Sequence, residues 1–284
     1  MSGRKQKEND KIVSRLKEKY EVVDFVETQY RAHLTKIVND NFSNYDLIVV
    51  TGGDGTLNEA VNGLAGKENA PILGYIPSGT CNDVARSLGI PKNVDKALDI
   101  ILKGNVFEHD LMKVNQNYCI YVCGMGIFTS SSYSTNSKAK RKLGKLAYFL
   151  NGFKDVICGK TFHLQFESNL LNFNGTASLM LLMNSRSVAG FSLNKNADLQ
   201  DGKIDVCIIH EKKNKKYVSL SSKLKIAKLF LFGYDKVKNT KRTKVVSIDR
   251  AKVRCCEIIN EDGECCQCSD FELQVIQKGI KILC

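Results

Sequence analysis

Tyrosine aside, no apolar run in this chain of 284 residues is longer than five, and the longest is Leu179 to Met183. A bilayer-crossing helix needs about 20 such residues, so no spanning segment is expected. The N-terminus is polar and charged throughout and lacks the apolar core of a secretory signal. Eleven cysteines without such a signal fit reduced thiols in the cytoplasm better than a disulfide framework. Cys255, Cys256, Cys265, Cys266 and Cys268 form Cys-Cys and Cys-x-Cys pairs, which is not zinc-ligand spacing, and they read as small buried hydrophobes. Two familiar phosphate-binding signatures, GxxxxGK(S/T) and GxGxxG, are also missing.

What is present is a different glycine turn. The apolar run Leu47 to Val50 leads into Gly52, Gly53 and Gly55, after which Leu57, Ala60, Val61 and Leu64 recur at helical spacing. The order is strand, glycine turn, helix, which aims free backbone N–H groups and a helix N-terminus at whatever lies beyond the strand. Phosphate suits such a place, and glycine lets it approach the backbone. A second unit follows: residues 71–77 read as a strand, Ser78-Gly79-Thr80 as the turn and Asn82 to Leu88 as a helix closed by Gly89 and Pro91. Two such turns side by side at the carboxyl ends of parallel strands form a nucleotide crevice. Asp262-Gly263-Glu264 places two carboxylates on a turn between β-rich stretches.

The pattern predicts a helix over 8–19, a strand over 21–26, a helix over 29–42, the two glycine units and a helix over 94–102. This alternation implies an α/β nucleotide-binding domain with a mainly parallel sheet. From residue 106 short strand-like runs take over, at 117–123, 161–167, 177–183, 203–209, 244–248 and 252–259, with a helix at 143–153. They predict a β-rich, sandwich-like second domain. The division expected is 1–105 and 106–270, with 271–284 returning to the first.

Charge is concentrated. Between Lys203 and Arg254 there are sixteen Lys or Arg against four Asp or Glu, so the whole net +12 resides there. Lys138, Lys140, Arg141, Lys142 and Lys145 form a second basic cluster after the segment 129–137. Such patches suit an anionic membrane surface, nucleic acid, or simply a solvated face. Tyr217, Leu220, Leu224, Ala227 and Leu231 step along one side of a helix with Lys223, Lys225 and Lys228 off the stripe. That stripe reads as the packed face of a surface helix or as an interfacial face meeting lipid.

GGDGTLNEAVNGL (52–64), PSGTCNDVARSLGIP (77–91), NSRSVAGF (184–191), NADLQDGKIDV (196–206) and NEDGE (260–264) occur in the order and approximate spacing of the diacylglycerol kinase catalytic-domain family. The chain resembles that family's soluble bacterial lipid kinases over nearly its whole length. The resemblance implies an NAD-kinase/diacylglycerol-kinase-like fold and ATP- and Mg²⁺-dependent phosphoryl transfer to a lipid alcohol, with diacylglycerol favoured. It implies that the backbone and side chains of Gly52, Gly53, Asp54, Gly55, Thr56, Leu57 and Asn58 cradle the ATP phosphates. Gly79 and Thr80 lie opposite and Thr28 near the nucleotide. Asp54 and Asp83 become candidates to hold catalytic Mg²⁺. Asp262 or Glu264 becomes the general base, Asp262 slightly favoured; residues i and i+2 of an extended strand share a face, so both are expected to line the cleft. The pair has a second reading as a hairpin cap. The loop resembles the family's structural metal site, with the Asp201 side chain and the Asp198 and Lys203 carbonyls as ligands.

The family starts with a short apolar strand ending in Asn-Pro-x-Ser-Gly, whereas this chain begins Met-Ser-Gly-Arg; the resemblance therefore leaves an edge of the nucleotide site in doubt. Two alternatives remain: NAD kinase, which shares Gly-Gly-Asp-Gly-Thr but has a Gly-Ser-Thr-Ala-Tyr-like segment not found here, and a non-catalytic membrane- or nucleic-acid-binding relative. Expected partners are a lipid alcohol and, peripherally, an anionic membrane, with no specific nucleic acid; an exposed edge strand leaves a homodimer open.

Overall fold

A computed structural model describes residues 3–126, 159–212, 215–238, 240–255, 259–262, 264–266 and 270–284, without the side chains of 3–5, 259–260 and 264–266. The expected helix at 143–153, the segment 129–137 and the basic cluster 138–145 lie outside these residues, as do Cys256 and Cys268 and the side chains of Glu264, Cys265 and Cys266.

Helix α1 (Gly3–Lys17) buries Ile12 and Leu16, one turn apart, so that a single stripe faces the core. Residues 20–29 follow in extended form. The strand expected at 21–26 is not formed: no ladder includes it, and Val22, Phe25 and Val26 are exposed. This segment and β1 (Leu47–Gly52) line a groove of about 600 Å³. Helix α2 (His33–Asn41) starts later than the expected residue 29 because Ala32 takes a left-handed φ of 62°. Glu59 holds that start, its carboxylate accepting the N–H of Ala32 at 2.9 Å and of Leu34 at 3.1 Å.

Helix α3 (Asp54–Leu64) connects β1 to β2 (Ile72–Pro77), and the two strands pair in parallel along their length, Leu47 opposite Ile72 and Gly52 opposite Pro77. Leu57, Ala60, Val61 and Leu64 are all fully buried, as their spacing predicts. A short α4 (Asp83–Leu88) closes on Gly89, and α5 (Val94–Lys103) is capped by Asn93 accepting from the Lys96 N–H. Lys11–Asp95 and Arg15–Asp99 ion pairs link α1 to α5 at the surface, worth little each.

The remainder is β-rich: β3 (Val106–Val114), β4 (Asn117–Cys119), β5 (Val122–Gly126), β6 (Phe162–Glu167), β7 (Asn172–Met183), β8 (Ser187–Val188), β9 (Phe191–Ser192) and β10 (Ile204–His210). After α6 (Leu220–Phe232) come β11 (Thr243–Ile248), β12 (Arg250–Cys255), β13 (Ile259–Glu261), β14 (Glu264–Cys266) and β15 (Asp270–Leu283). Among the described residues thirteen strands form one sheet, with a path β1-β2-β15-β12-β6-β7-β5-β13-β14; β3 and β10 attach to β15 and β7. Parallel pairing is confined to β1–β2 and β2–β15, so the parallel part is smaller than expected. The α/β plus β-rich fold class stands, but one sheet runs through both parts. One core lies under α1–α5 and α6; a second, around Phe166, Met180, Val206 and Phe271, is enclosed by the β-rich strands.

Strand β15 returns as expected. Its first half pairs with β12 and β3, and Ile282 near its end pairs with Leu73 of β2. Its register shifts between Ile276 and Ile280, where Lys278 has φ 52°. Asp110, fully buried on β3, holds this irregularity: one oxygen accepts the Lys278 N–H and the other the Gly202 N–H, each at 2.7 Å. Substituting Asp110→Ala leaves two N–H groups without an acceptor, at about 1–3 kcal/mol each. The expected outcome is a loss of about 2–4 kcal/mol in urea-unfolding free energy; a loss below 1 kcal/mol would remove Asp110 from this role.

Candidate active site

The two glycine turns touch. A Cβ on Gly79 would lie 2.6 Å from the Gly53 Cα and 2.7 Å from Asn82 Oδ1, so nothing larger fits there. The Ser78 and Gly79 N–H groups donate to the Gly52 carbonyl at 2.8 and 3.2 Å, joining the end of β2 to the end of β1. Asn82, at φ 52°, turns the chain into α4 and donates its amide to the Gly79 carbonyl at 3.0 Å. Lys92 Nζ reaches the Gly79 and Thr80 carbonyls at 3.2 and 3.0 Å. The first N–H groups of α3 have no partner within the helix, and they open onto this crevice beside exposed Thr80 and partly exposed Gly55 and Thr56. Thr28 and Thr56 line the groove already described, so the extended segment does bring Thr28 towards the first turn. Two residues differ from expectation. The Leu57 side chain is fully buried, and the Asn58 amide oxygen accepts from Asn62 at 2.6 Å. Neither side chain faces the crevice.

Three carboxylates meet around the turns. Asp54 is the first residue of α3 and accepts the Val84 N–H at 3.2 Å, capping the neighbouring helix. Asp83 accepts the Ser187 hydroxyl at 2.5 Å and the Gly190 N–H at 2.9 Å on Oδ1, while its Oδ2 is buried without a partner. Asp262 is 2% exposed. Its oxygens accept the N–H groups of Ile120, of Tyr121 at 3.0 Å and of Val122 at 2.8 Å. Tyr121 packs among them, its phenol pushed up by burial and by Asp54, Asp262 and Asp83.

Burial pushes the Asp54 carboxyl up to about 6, with the Asp83 charge adding to it. Burial likewise raises Asp83, opposed by Ser187 and Gly190. It pushes Asp262 up to about 7 although three N–H groups oppose the shift; Asp54 adds a small increment.

The turn itself corrects one expectation. Glu261 pairs with Glu264, so Asp262 lies in the turn that joins them, with φ 49°. Positive φ at this position is the habit of primed turns and suits Asp-Gly. Asp262 is therefore not on an extended strand with Glu264, and the shared-face argument does not apply to it.

In the loop expected to hold a structural metal, two acidic side chains bond to nearby backbone N–H groups. Asp198 Oδ1 accepts the Gln200 N–H at 3.0 Å and Asp201 Oδ1 the Lys203 N–H at 2.9 Å, two local side-chain turns on exposed residues. Among the described residues no three His, Cys, Asp or Glu side chains converge on one point. Asp110 was not singled out by the sequence, nor were Lys92 and Tyr121; Ser187 lay inside the motif 184–191 without a role.

Mg²⁺ fits the crevice better than the loop. It takes one or two carboxylates together with substrate phosphates and water, and the unpartnered Asp83 Oδ2 is an oxygen ligand of that kind beside a second carboxylate, Asp54.

Glycine turns abutting at the ends of parallel strands, with acids at two helix starts, define an α/β fold built on two adjoining strand–turn–helix units. Residues 1–114 match the family model of the diacylglycerol kinase catalytic domain. A diacylglycerol kinase of Staphylococcus saprophyticus is 40% identical over 169 residues, 59% of this chain and 55% of that protein. One of Staphylococcus aureus is 43% identical over 172 residues, 60% of this chain and 54% of that protein. The match thus spans about half the length of these relatives. A crystal structure of a diacylglycerol kinase from Bacillus anthracis has a TM-score of 0.79 at 25% identity, covering 98% of this chain and 91% of that one. Another structure from the same organism reaches 0.81 at 26%, covering 98% and 89%. The first 114 residues are thus similar to the diacylglycerol kinase catalytic domain, and the fold as a whole is similar to that of the Bacillus anthracis structures.

The raised carboxyls make stability depend on pH. Because the folded state binds these protons more tightly than the unfolded chain, their contribution is fully present below about pH 4. It is lost as pH rises through about 6 and 7, on the order of 3 kcal/mol per group. The ligand-free protein should melt lower at pH 8 than at pH 5, and millimolar Mg²⁺ should raise Tm at pH 8 only. Equal Mg²⁺ stabilisation at both pH values would remove the crevice as a cation site.

Proposed function

We propose that this chain transfers the γ-phosphate of ATP to a lipid hydroxyl, with diacylglycerol as acceptor and phosphatidic acid as product. The observation that carries this reading is the pairing of Asp54 and Asp83, at the starts of α3 and α4, beside two glycine turns that touch at Gly53 and Gly79, with Asp262 near enough to feel the Asp54 charge. Phosphoryl transfer asks for positioning and charge neutralisation rather than covalent chemistry, and these parts supply both. In this reading residues 1–105 with the end of β15 hold the nucleotide, and 106–270 supply the lipid side.

The N–H groups at the start of α3 and the backbone of Gly52, Gly53 and Gly55 receive phosphate oxygens, with Gly79, Thr80 and Lys92 on the facing side. Lys92 adds a positive charge there. Asp54 and Asp83 hold Mg²⁺, directly or through water, and the metal, when bound, neutralises charge on the transferring group. Ser187 and Gly190 fix the Asp83 carboxylate so that Oδ2 remains free for this task.

The Asp262–Glu264 turn supplies the proton acceptor for the attacking hydroxyl. With both oxygens committed to three N–H groups and 2% exposure, Asp262 acts as an anchor. We assign proton acceptance to Glu264, reversing the slight preference from the sequence.

The test is labelled phosphate transfer from ATP to diacylglycerol in mixed micelles. Asp83→Asn should abolish transfer. Glu264→Gln should lower kcat about 100-fold or more with Tm unchanged. Asp262→Asn, which points an amide at backbone N–H groups, should lower Tm as well. A Glu264→Gln variant with full kcat would return the base to Asp262, and no transfer by the folded wild type would end the lipid-kinase reading.

A further inference from the structure

Helix α6 is apolar on two sides, and among the described residues only one of them is covered. Ile226, Leu229 and Phe230 are buried, Phe230 meeting Phe191 of β9 edge-on at 5.7 Å. At about 100° per residue, Leu220, Leu224, Ala227 and Leu231 fall within about 60° of one another on the opposite side. Leu220 is 73% exposed, Leu224 64% and Leu231 61%, and Phe232 and Tyr217 extend the patch at 66% and 56%. The stripe visible in the sequence is thus the outward face of the helix. Among the described residues nothing packs over these three large leucines.

We propose that this face docks on the interface of an anionic lipid bilayer. This deepens the lipid-kinase reading and rests on it for the source of substrate. The charge around the helix selects that occupant. Lys212, Lys215 and Lys216 are exposed before its start, Lys228 borders the stripe and Lys236 follows its end, within the stretch that holds the whole net +12. An apolar face edged by lysines is the arrangement of a helix lying in the headgroup layer, with amines reaching lipid phosphates and leucines the acyl boundary. A second copy of the chain would bring the same lysines against lysines in a two-fold pair. Among the described residues no helix is long and apolar enough to span a membrane, so the contact is superficial.

The helix is mounted firmly. Glu211 Oε1 accepts the Ser219 N–H at 2.9 Å and the Ser178 hydroxyl at 2.8 Å, and the Ser219 side chain caps the first turn. On its inner side, Phe191 belongs to the hairpin β8–β9, whose Ser187 holds Asp83. Docking therefore sets the orientation of the element that fixes one acid of the crevice.

The sequence contains no tryptophan, so Leu224→Trp places a single reporter on the stripe. With vesicles of phosphatidylcholine and phosphatidylglycerol, and no ATP, its emission should shift to the blue and be quenched by lipid brominated in the acyl chain. The double variant Leu220→Ser/Leu231→Ser should bind these vesicles about tenfold more weakly or worse, with unchanged Tm. Vesicle binding with no emission shift would place the contact elsewhere and overturn the proposal. So would absence of vesicle binding, or a shift that appears on raising protein concentration without lipid, which would mark pairing of two copies. Transfer to diacylglycerol in detergent micelles, measured beside these, separates the two ideas: transfer without vesicle docking sinks only the docking surface, and docking without transfer sinks only the kinase reading.

Discussion

Burying three carboxylates around one crevice is the constraint to which the surrounding structure answers. An ionised carboxylate loses much of its hydration inside a protein and is kept only when donors or cations replace the water. Here backbone and hydroxyl donors do most of that work. Val84 donates to Asp54, Ser187 and Gly190 to Asp83, and residues 120–122 to Asp262. The donors come from α4, the β8–β9 hairpin and the β4–β5 junction, elements far apart in sequence. Holding the acids in place therefore requires that these pieces be brought together. Yet the carboxyls of Asp54 and Asp262 remain raised, so compensation is incomplete. Incomplete compensation leaves room for an additional positive charge, which a site that handles phosphate supplies only when occupied.

Asp262 shows how one residue ties topology to the site. Its turn closes the β13–β14 hairpin near the C-terminal end of the chain, and its carboxylate gathers the N–H groups of Ile120, Tyr121 and Val122. Those N–H groups are thereby withdrawn from strand pairing. The expected strand over 117–123 accordingly splits into β4 and β5, with the break where Asp262 draws the backbone aside. Asp110 does the corresponding task on the other side of β3, where it accommodates the irregular step of β15.

The parts legible in the sequence are those set by local chemistry. Leu57, Ala60, Val61 and Leu64 announced their helix face, and the glycines at 52 and 79 announced turns with no room for a side chain, since a Cβ would meet Thr56 at the first and the Gly53 Cα at the second. The parts that stayed hidden depend on partners distant in sequence. Residues 21–26 have strand composition, but composition does not supply a neighbouring edge within pairing distance. Asp110, Lys92 and Ser187 acquire their meaning from groups 12 to 168 positions away, as in the Lys92–Thr80 and Lys278–Asp110 bonds, and no spacing rule reaches that far. Asp262 was found as chemistry, but its positive φ, and hence its role as a turn-forming anchor, was not.

Helix α6 marks a further limit of pattern reading. An apolar stripe says which residues share a face and leaves open what covers them. The helix has two such stripes, one around Ile226 and Leu229 and one around Leu220, Leu224 and Leu231. Among the described residues, only one stripe finds cover. The more regular of the two, read by itself, is the natural choice for the core. The side that packs is decided by Phe191 and the Glu211 clasp on the Ser219 N–H, and both lie outside the helix. The face left in water is thus a consequence of how the helix is anchored, and the lysines along its border determine what kind of surface can meet it.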